Sequence, residues 1–472
     1  MHHPSRLLSW GLMSVSLVFS CAAAEATLTK VHEFSGHENV SQNAGFIEGP
    51  DGNFYGWIGH AGQERQSIVW RIGRDGTGFT LLHTFTSLQE DGEDPTGLVY
   101  GSDGVLYGVA QDQKGLGRIF AMSATGEDYR VLKQFDVVTD KTAGPFGLIE
   151  ASDGRLYGVT GTGSPTGVVY GIGKDGSGFE VLHRFGQTRT DGQFPRGLLL
   201  EARDGFLYGV TASDRSQFLG TVYRVGRTGA GYEILHQFAS GSGVQPDSGL
   251  VMASDGFLHG QAARGGPNGL GGVFKLRPDG SDYGFSETGT GGAQWYRSVF
   301  ESGDGHLYGI QPGGGPQFNG TIFRTQLDGS GSEVLHTFSA TADPQEGVRP
   351  KQFVHARDGF LYCITHRQTS VPIGTLTAFT PFLMRFGPVA LPPTDPSDSI
   401  TLVPRIVDNG SAREFRFSFS GVAGLAYKIQ VSPTLPPSWE LATTVTPDSE
   451  GKAEFVDPNP SAATTRFYRA IR

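Results

Sequence analysis

The stretch DGFLYGVT at residues 204–211 decides the fold, because the chain writes it seven times. The other copies read DGNFYGWI (51–58), DGVLYGVA (103–110), DGRLYGVT (153–160), DGFLHGQA (255–262), DGHLYGIQ (304–311) and DGFLYCIT (358–365). Their aspartates stand at 51, 103, 153, 204, 255, 304 and 358, so the period runs from 49 to 54 residues. A fixed period of that length marks a repeat architecture. Working outward from the fourth copy, PRGLLLEA (195–202) is an apolar, extended segment. Asp-Gly then closes a hairpin, since both residues tolerate the positive φ of a tight turn. FLYGVTAS (206–213) is a second strand, GTVYRVG (220–226) a third and YEILHQF (232–238) a fourth. The glycine of LYG is expected to let a neighbouring unit approach closely. Four short antiparallel strands per unit, with no helical periodicity, make a propeller blade.

The ends of the repeat predict a closed ring. Blade seven has three strands, near 349–356, 360–366 and 377–386, before the prolines of PVALPPTDPSD (388–398) forbid a fourth. TLTKVHEF (27–34) carries the fourth-strand pattern and precedes blade one. It is expected to complete blade seven, which removes the open edges of the ring. Blade five departs from the pattern. Its fourth strand, DYGFSETG (282–289), lacks Leu-His-x-Phe and is expected to be short or irregular. The reading is an all-β chain: a seven-bladed β-propeller over residues 27–388, a Pro-rich linker over 389–397 and a small β-sandwich over 398–472. Six alternating strands and Trp439 suggest an immunoglobulin- or fibronectin-like sandwich.

Composition agrees with this and limits the partners. Glycine supplies 71 of 472 residues, about twice the usual share, yet aromatic residues at 11% argue against disorder. The net charge is −10 with no Lys/Arg block, so nucleic acid and anionic membranes are poor partners. Residues 1–24 read as a signal peptide: Arg6, an apolar run over 7–20, then small residues. A lipoprotein signal acylating Cys21 would leave almost no tether before the first strand. No other stretch spans a membrane. Export to the cell surface, the periplasm or the medium is therefore expected, as a monomer. Cys363, at the LYG glycine position, is the only other cysteine and reads as a small buried residue.

The repeat resembles the GloVer (Gloeobacter/Verrucomicrobia) tandem-repeat family, on GLLLEARDGFLYGVT, GTVYRVGRTGAGYEILHQF and their copies. The tail GLAYKIQVSPTLPPSWELATTV looks like the small terminal module of verrucomicrobial secreted proteins. The resemblance implies export and a propeller. It brings no established activity, catalytic residue or cofactor.

Candidate sites follow from position. His32, His83, His183, His236 and His336 share one repeat position on the outermost strand. Spread round the rim, they cannot converge on one metal and read as packing residues. The seven turn aspartates have a sufficient reason in their hairpins. Glu90, Asp91, Glu93 and Asp94 form an acidic loop; it is a weak calcium candidate that reads better as a solvated turn. The blades' first strands enter with Pro95, Pro145, Pro195, Pro246 and Pro350, but blade six has Trp295 and Tyr296 there. Large aromatics at a channel mouth suit a sugar ring or a partner's side chain, or they plug a defect. His60, Asp112, Arg264, His366 and Arg367 fall in irregular loops between second and third strands, where specificity resides. The expectation is a non-enzymatic binding or structural protein, without cofactor, whose ligand is a glycan or another exported protein. The contrary expectation is a glycan hydrolase or lyase, with carboxylates such as Glu93, Asp94, Asp112 and Asp214 converging at the mouth.

Overall fold

The computed structural model describes residues 27–34, 40–60, 66–85, 92–112, 115–138, 141–162, 166–188, 190–213, 219–239, 243–246, 248–288, 299–340, 345–369 and 378–387, with six strands beyond residue 402. Among these residues every regular element is a β-strand. Seven antiparallel sheets follow one another round a ring, six of them built from consecutive strands. Blade four is typical: Gln193–Glu201, Phe206–Ser213, Thr221–Gly226 and Glu233–Gln237. The first strands of successive blades approach one another at glycines. A Cβ on Gly97 would touch Gly147, and one on Gly197 would strike the backbone at Gly249. First strands therefore line the axis and fourth strands form the rim.

The ring closes as the repeat demands. Thr27–Glu33 pairs antiparallel with Ala378–Gly387, from Thr27 opposite Gly387 to Glu33 opposite Phe382. Blade five is the irregular one. Its first strand is broken into Val244–Pro246 and Val251–Met252, and its fourth is only Gly284–Glu287. The tail forms two three-stranded sheets. One holds Val403–Asp408, Arg413–Ser420 and Lys452–Val456; the other holds Glu440–Val445, Tyr427–Ser432 and Phe467–Ile471. The segments 1–24 and 389–397, and Trp439, lie outside the described residues.

The core is divided among the seams between blades. In strand two of blade four, Leu207 packs toward blade three while Tyr208 and Val210 pack toward blade five. Both faces of the sheet are buried, which is why the strand reads as a nearly continuous apolar run. Among the described residues, the seam between blades five and six is the thinnest. It buries Val273, Val299, Leu307 and Phe323, where the other seams bury nine to twelve residues.

The motif DGFLYG now has a physical reading. Asp204 Oδ1 accepts the Phe206 N–H at 3.1 Å, an Asx turn, and Oδ2 accepts the Tyr208 hydroxyl at 2.5 Å. The same pair recurs from Asp51–Tyr55 to Asp358–Tyr362, and in blade five His259 replaces the tyrosine, 3.2 Å from Asp255. Burial, then the bond to Asp204, pushes the Tyr208 phenol up to about 12. The LYG glycine serves its own blade rather than a neighbouring one. Gly209 faces Tyr223 of strand three, whose ring would overlap any Cβ. Trp70, Phe120, Tyr170, Phe274 and Phe323 cross Gly56, Gly108, Gly158, Gly260 and Gly309 in the same way. In blade seven the pair is Cys363 opposite Met384, so the larger residue meets a non-aromatic partner. Cys363 is buried, and that burial raises its thiol far above the ordinary range.

Close approach between blades falls instead on the glycine of the second turn. Gly76, Gly126, Gly176, Gly229 and Gly280 have positive φ, and a Cβ on each would strike the preceding blade's fourth strand. At Gly76 that strand is the closing one, at Val31.

Candidate binding face

At one end of the ring the chain enters blades three, four, five and seven through the same inter-blade joint. Gly144, Phe194, Gln245 and Arg349, each just before a proline, adopt φ between 52° and 62°. Their N–H groups donate to the carbonyls of Leu116, Thr166, Leu219 and Asn319 of the preceding blade, at 2.5–2.9 Å. The glycine after each acceptor (Gly117, Gly167, Gly220, Gly320) lies against the proline ring, which leaves no room for a Cβ. A pre-proline residue normally avoids helical φ/ψ, and φ above zero costs a non-glycine residue about 1–3 kcal/mol. The joint repeats while its side chain changes: none, Phe, Gln and Arg. The entry to blade six has no proline, and Gly271 of blade five, which holds the matching glycine position, is crowded by the carbonyls of Ala262 and Ala263.

Only some of the residues singled out by sequence lie within the described residues. Trp295, Tyr296, Asp214, Glu90 and Asp91 lie outside the described residues. His60 ends the strand Asn53–His60, and its side chain lies outside them too. Asp112 organises its own loop: Oδ1 accepts the Leu116 N–H at 2.9 Å, and Arg118 lies 3.9 Å away. Asp94 accepts the Ser67 hydroxyl at 3.0 Å, and the Glu93 N–H donates to Gln111. Arg264 is exposed at the end of Leu258–Arg264. His366 and Arg367 are not in a loop, because strand two of blade seven runs on to Thr369. Arg367 binds Glu33 at 3.0 Å and covers Phe382, so it clasps the closing strand. His366 is buried, and its Nε2 has no partner among the described residues. No cluster of metal-ligating side chains occurs among the described residues.

The rim histidines are stacking groups, partly buried. His83, His183 and His236 lie flat on Tyr129, Tyr232 and Tyr283 of the next blade, at 3.4–4.0 Å between centroids. His32 stacks on Phe79 across the closing seam at 5.1 Å. Blade two has Lys133 at this position, and its ammonium sits over Phe179. Each histidine also meets, edge to face, the Phe two residues on. Acidic residues tie two of these histidines to the entry loops. Asp191 accepts the Tyr232 hydroxyl at 2.7 Å with His183 at 3.3 Å, and Glu346 lies 3.1 Å from His336.

The opposite end carries electrostatic clasps. Glu150 receives the Ser102 N–H and Lys174, and Glu201 receives the Ser152 N–H and Arg227. Glu48 does the same with the Arg357 N–H and Arg74 across the closing seam. Each clasp joins a hairpin turn to the blade that follows.

The family model described as Gloeobacter/Verrucomicrobia repeat matches residues 11–202 and 112–287, which together exceed half the chain. No curated protein matches the sequence. Among solved structures, the extracellular domain of a protein named as a hybrid two-component system from B. thetaiotaomicron is similar at 11% identity, with a TM-score of 0.48. The match covers 89% of this chain and 52% of that one, so this chain spans about half its length. YCF48 from Cyanidioschyzon merolae matches at 12% identity and a TM-score of 0.48, covering 76% of this chain and 99% of that one. A protein of unknown function from Dyadobacter fermentans matches at 10% identity and a TM-score of 0.44, covering 76% and 99%. Likenesses this distant say nothing of activity.

Proposed function

The chain belongs to the Gloeobacter/Verrucomicrobia repeat family, and on that premise we propose that it is an exported, non-enzymatic binding protein. Residues 1–24 direct export. The propeller is followed by the linker 389–397 and an immunoglobulin- or fibronectin-like sandwich over 398–472. The ligand is a glycan or another exported protein, met at the mouth where the first strands begin.

One observation carries this reading. The same backbone joint recurs at four blade entries, costly at Phe194, Gln245 and Arg349, while its side chain varies through Gly144, Phe194, Gln245 and Arg349. Backbone strain held at equivalent positions under variable side chains fits a recognition surface better than a packing requirement, which would fix the side chain as well. Trp295 occupies the same pre-entry position in blade six by sequence alignment of the units. A glycan array comparing the wild-type protein with Trp295→Ala/Tyr296→Ala tests the site. Loss of the bound spots is expected; an unchanged binding profile removes these aromatics from the site.

A further inference from the structure

We infer that Phe318 is a sugar-stacking platform, a subsite for a pyranose ring of a neutral polysaccharide at the joint between blades six and seven. The inference rests on the binding reading above and names its ligand class. It starts from a turn that blades two, five and six share between their second and third strands. The N–H groups of Gly115, Gly269 and Phe318 donate to the carbonyls three residues back, those of Asp112, Gly266 and Gly315, at 2.9–3.1 Å. All three donors lie in the left-handed region, with φ of 70°, 75° and 56°. Each stands two residues before a glycine that precedes the third strand, Gly117, Gly271 or Gly320. Glycine holds this conformation without strain, whereas a bulky residue there is an outlier. The position also asks nothing of a side chain, since a Cβ added to Gly115 or Gly269 would meet nothing within 4 Å. Blade six nonetheless places a phenylalanine there, 64% exposed.

Exposed apolar residues scattered singly are ordinary. This one gives up both backbone ease and burial of its ring, and the open space at the same position in two other blades shows that the fold does not require it. Local strain of this kind collects at ligand sites. The surroundings choose the ligand. Gln317 is exposed beside the ring and accepts a hydrogen bond from Asn319 Nδ2 at 3.3 Å. The Asn319 carbonyl in turn accepts the N–H of Arg349, an exposed residue of the next blade. A flat apolar ring flanked by amide donors and acceptors matches a pyranose, whose C–H face is apolar and whose hydroxyls stand round its edge. A protein partner needs a broader apolar core. Among the described residues, the other exposed large hydrophobic residue of blades six and seven is Val334, which follows the second turn at the opposite end.

Affinity electrophoresis of the full chain in gels containing hydroxyethyl cellulose, galactomannan or dextran, with polygalacturonate as the charged comparison, tests the inference. Retardation by a neutral polymer is expected, and nearly equal at about 50 and about 300 mM salt, since stacking is not screened. Phe318→Gly, which copies blades two and five, is expected to weaken it about tenfold or more, a loss of about 1.4 kcal/mol. Its melting temperature is expected to hold or rise, because the strain is relieved. Phe318→Tyr is expected to retain binding. Undiminished retardation of Phe318→Gly, a melting temperature lowered by that change, or loss of binding in Phe318→Tyr overturns the inference. Retardation by polygalacturonate alone does so too. Binding of a neutral glycan that is lost in Trp295→Ala/Tyr296→Ala but kept in Phe318→Gly overturns it and leaves the broader binding reading intact. Absence of binding to every glycan, in the gels and on the array, overturns it and leaves that reading only a protein ligand.

Discussion

At the scale of residues, Gly209 and Cys363 hold equivalent places, and the difference between them is set by what lies across the sheet. Gly209 faces Tyr223, whereas Cys363 faces Met384. A side chain at 209 must displace a fully buried ring, and overpacking of this kind costs about 1–3 kcal/mol. Gly209→Ala is therefore expected to lower the unfolding free energy read from urea titration by that order. Gly209→Cys/Tyr223→Met, which copies blade seven, is expected to recover part of the loss relative to Gly209→Cys alone, as a coupled pair should. A strictly additive double variant would show that the two residues do not compete for space. The repeat spacing alone made the Asp-Gly turn legible. The Asp204–Tyr208 bond could also have been found there, because Asp and Tyr keep a separation of four in six copies and a hydrogen-bonding His replaces Tyr in the seventh. The role of the glycine was misplaced because its neighbour, the strand-three aromatic, is adjacent only once the register is known.

At the scale of elements, stacked rings on the fourth strands join blade one to two, three to four, four to five and seven to one. These rings stack best when the imidazole is neutral and tucked away from water. Burial lowers the pKa of His236 from 6.5 to about 4, and burial is also the leading cause of the lowered values of His32, His259 and His366. A group held neutral in this way binds its proton more readily in the unfolded chain. Its contribution is full above about pH 6.5 and is lost as pH falls toward the folded value. The melting temperature is expected to drop between pH 7 and 4.5. His236→Phe keeps a ring on Tyr283 without a titrating group and is expected to flatten that slope. Thermal melts at several pH values check both statements; a slope unchanged in the variant would assign the loss elsewhere. The shared position of these histidines was legible in the sequence. Their partners were not, since Tyr129, Tyr232 and Tyr283 belong to the next unit and to a turn rather than a strand.

At the scale of the whole molecule, the arithmetic of strands was enough to predict closure: one blade lacked a fourth strand and the chain had a spare one at its start. A chain beginning at residue 35 loses Thr27–Glu33 and with it the packing of Val31 and Phe34 in the closing seam. It leaves the strand Ala378–Gly387 as an open edge. Such a chain is expected to aggregate or melt at markedly lower temperature, and added peptide 27–34 is expected to restore part of the loss. A monomer of unaltered melting temperature would refute the role of that strand. The binding face was less legible than the fold. A phenylalanine at positive φ before a proline runs against local preference, and only the carbonyl offered by the preceding blade explains it.

The earliest strand of the ring is the one used last. Thr27–Glu33 has no sheet to join until Gly387 has left the ribosome, more than 350 residues later. Contacts so remote in sequence form slowly, after the entropy of a long loop has been overcome. A polypeptide cut short before that point cannot pass as a finished circle, so the architecture carries its own check on completeness.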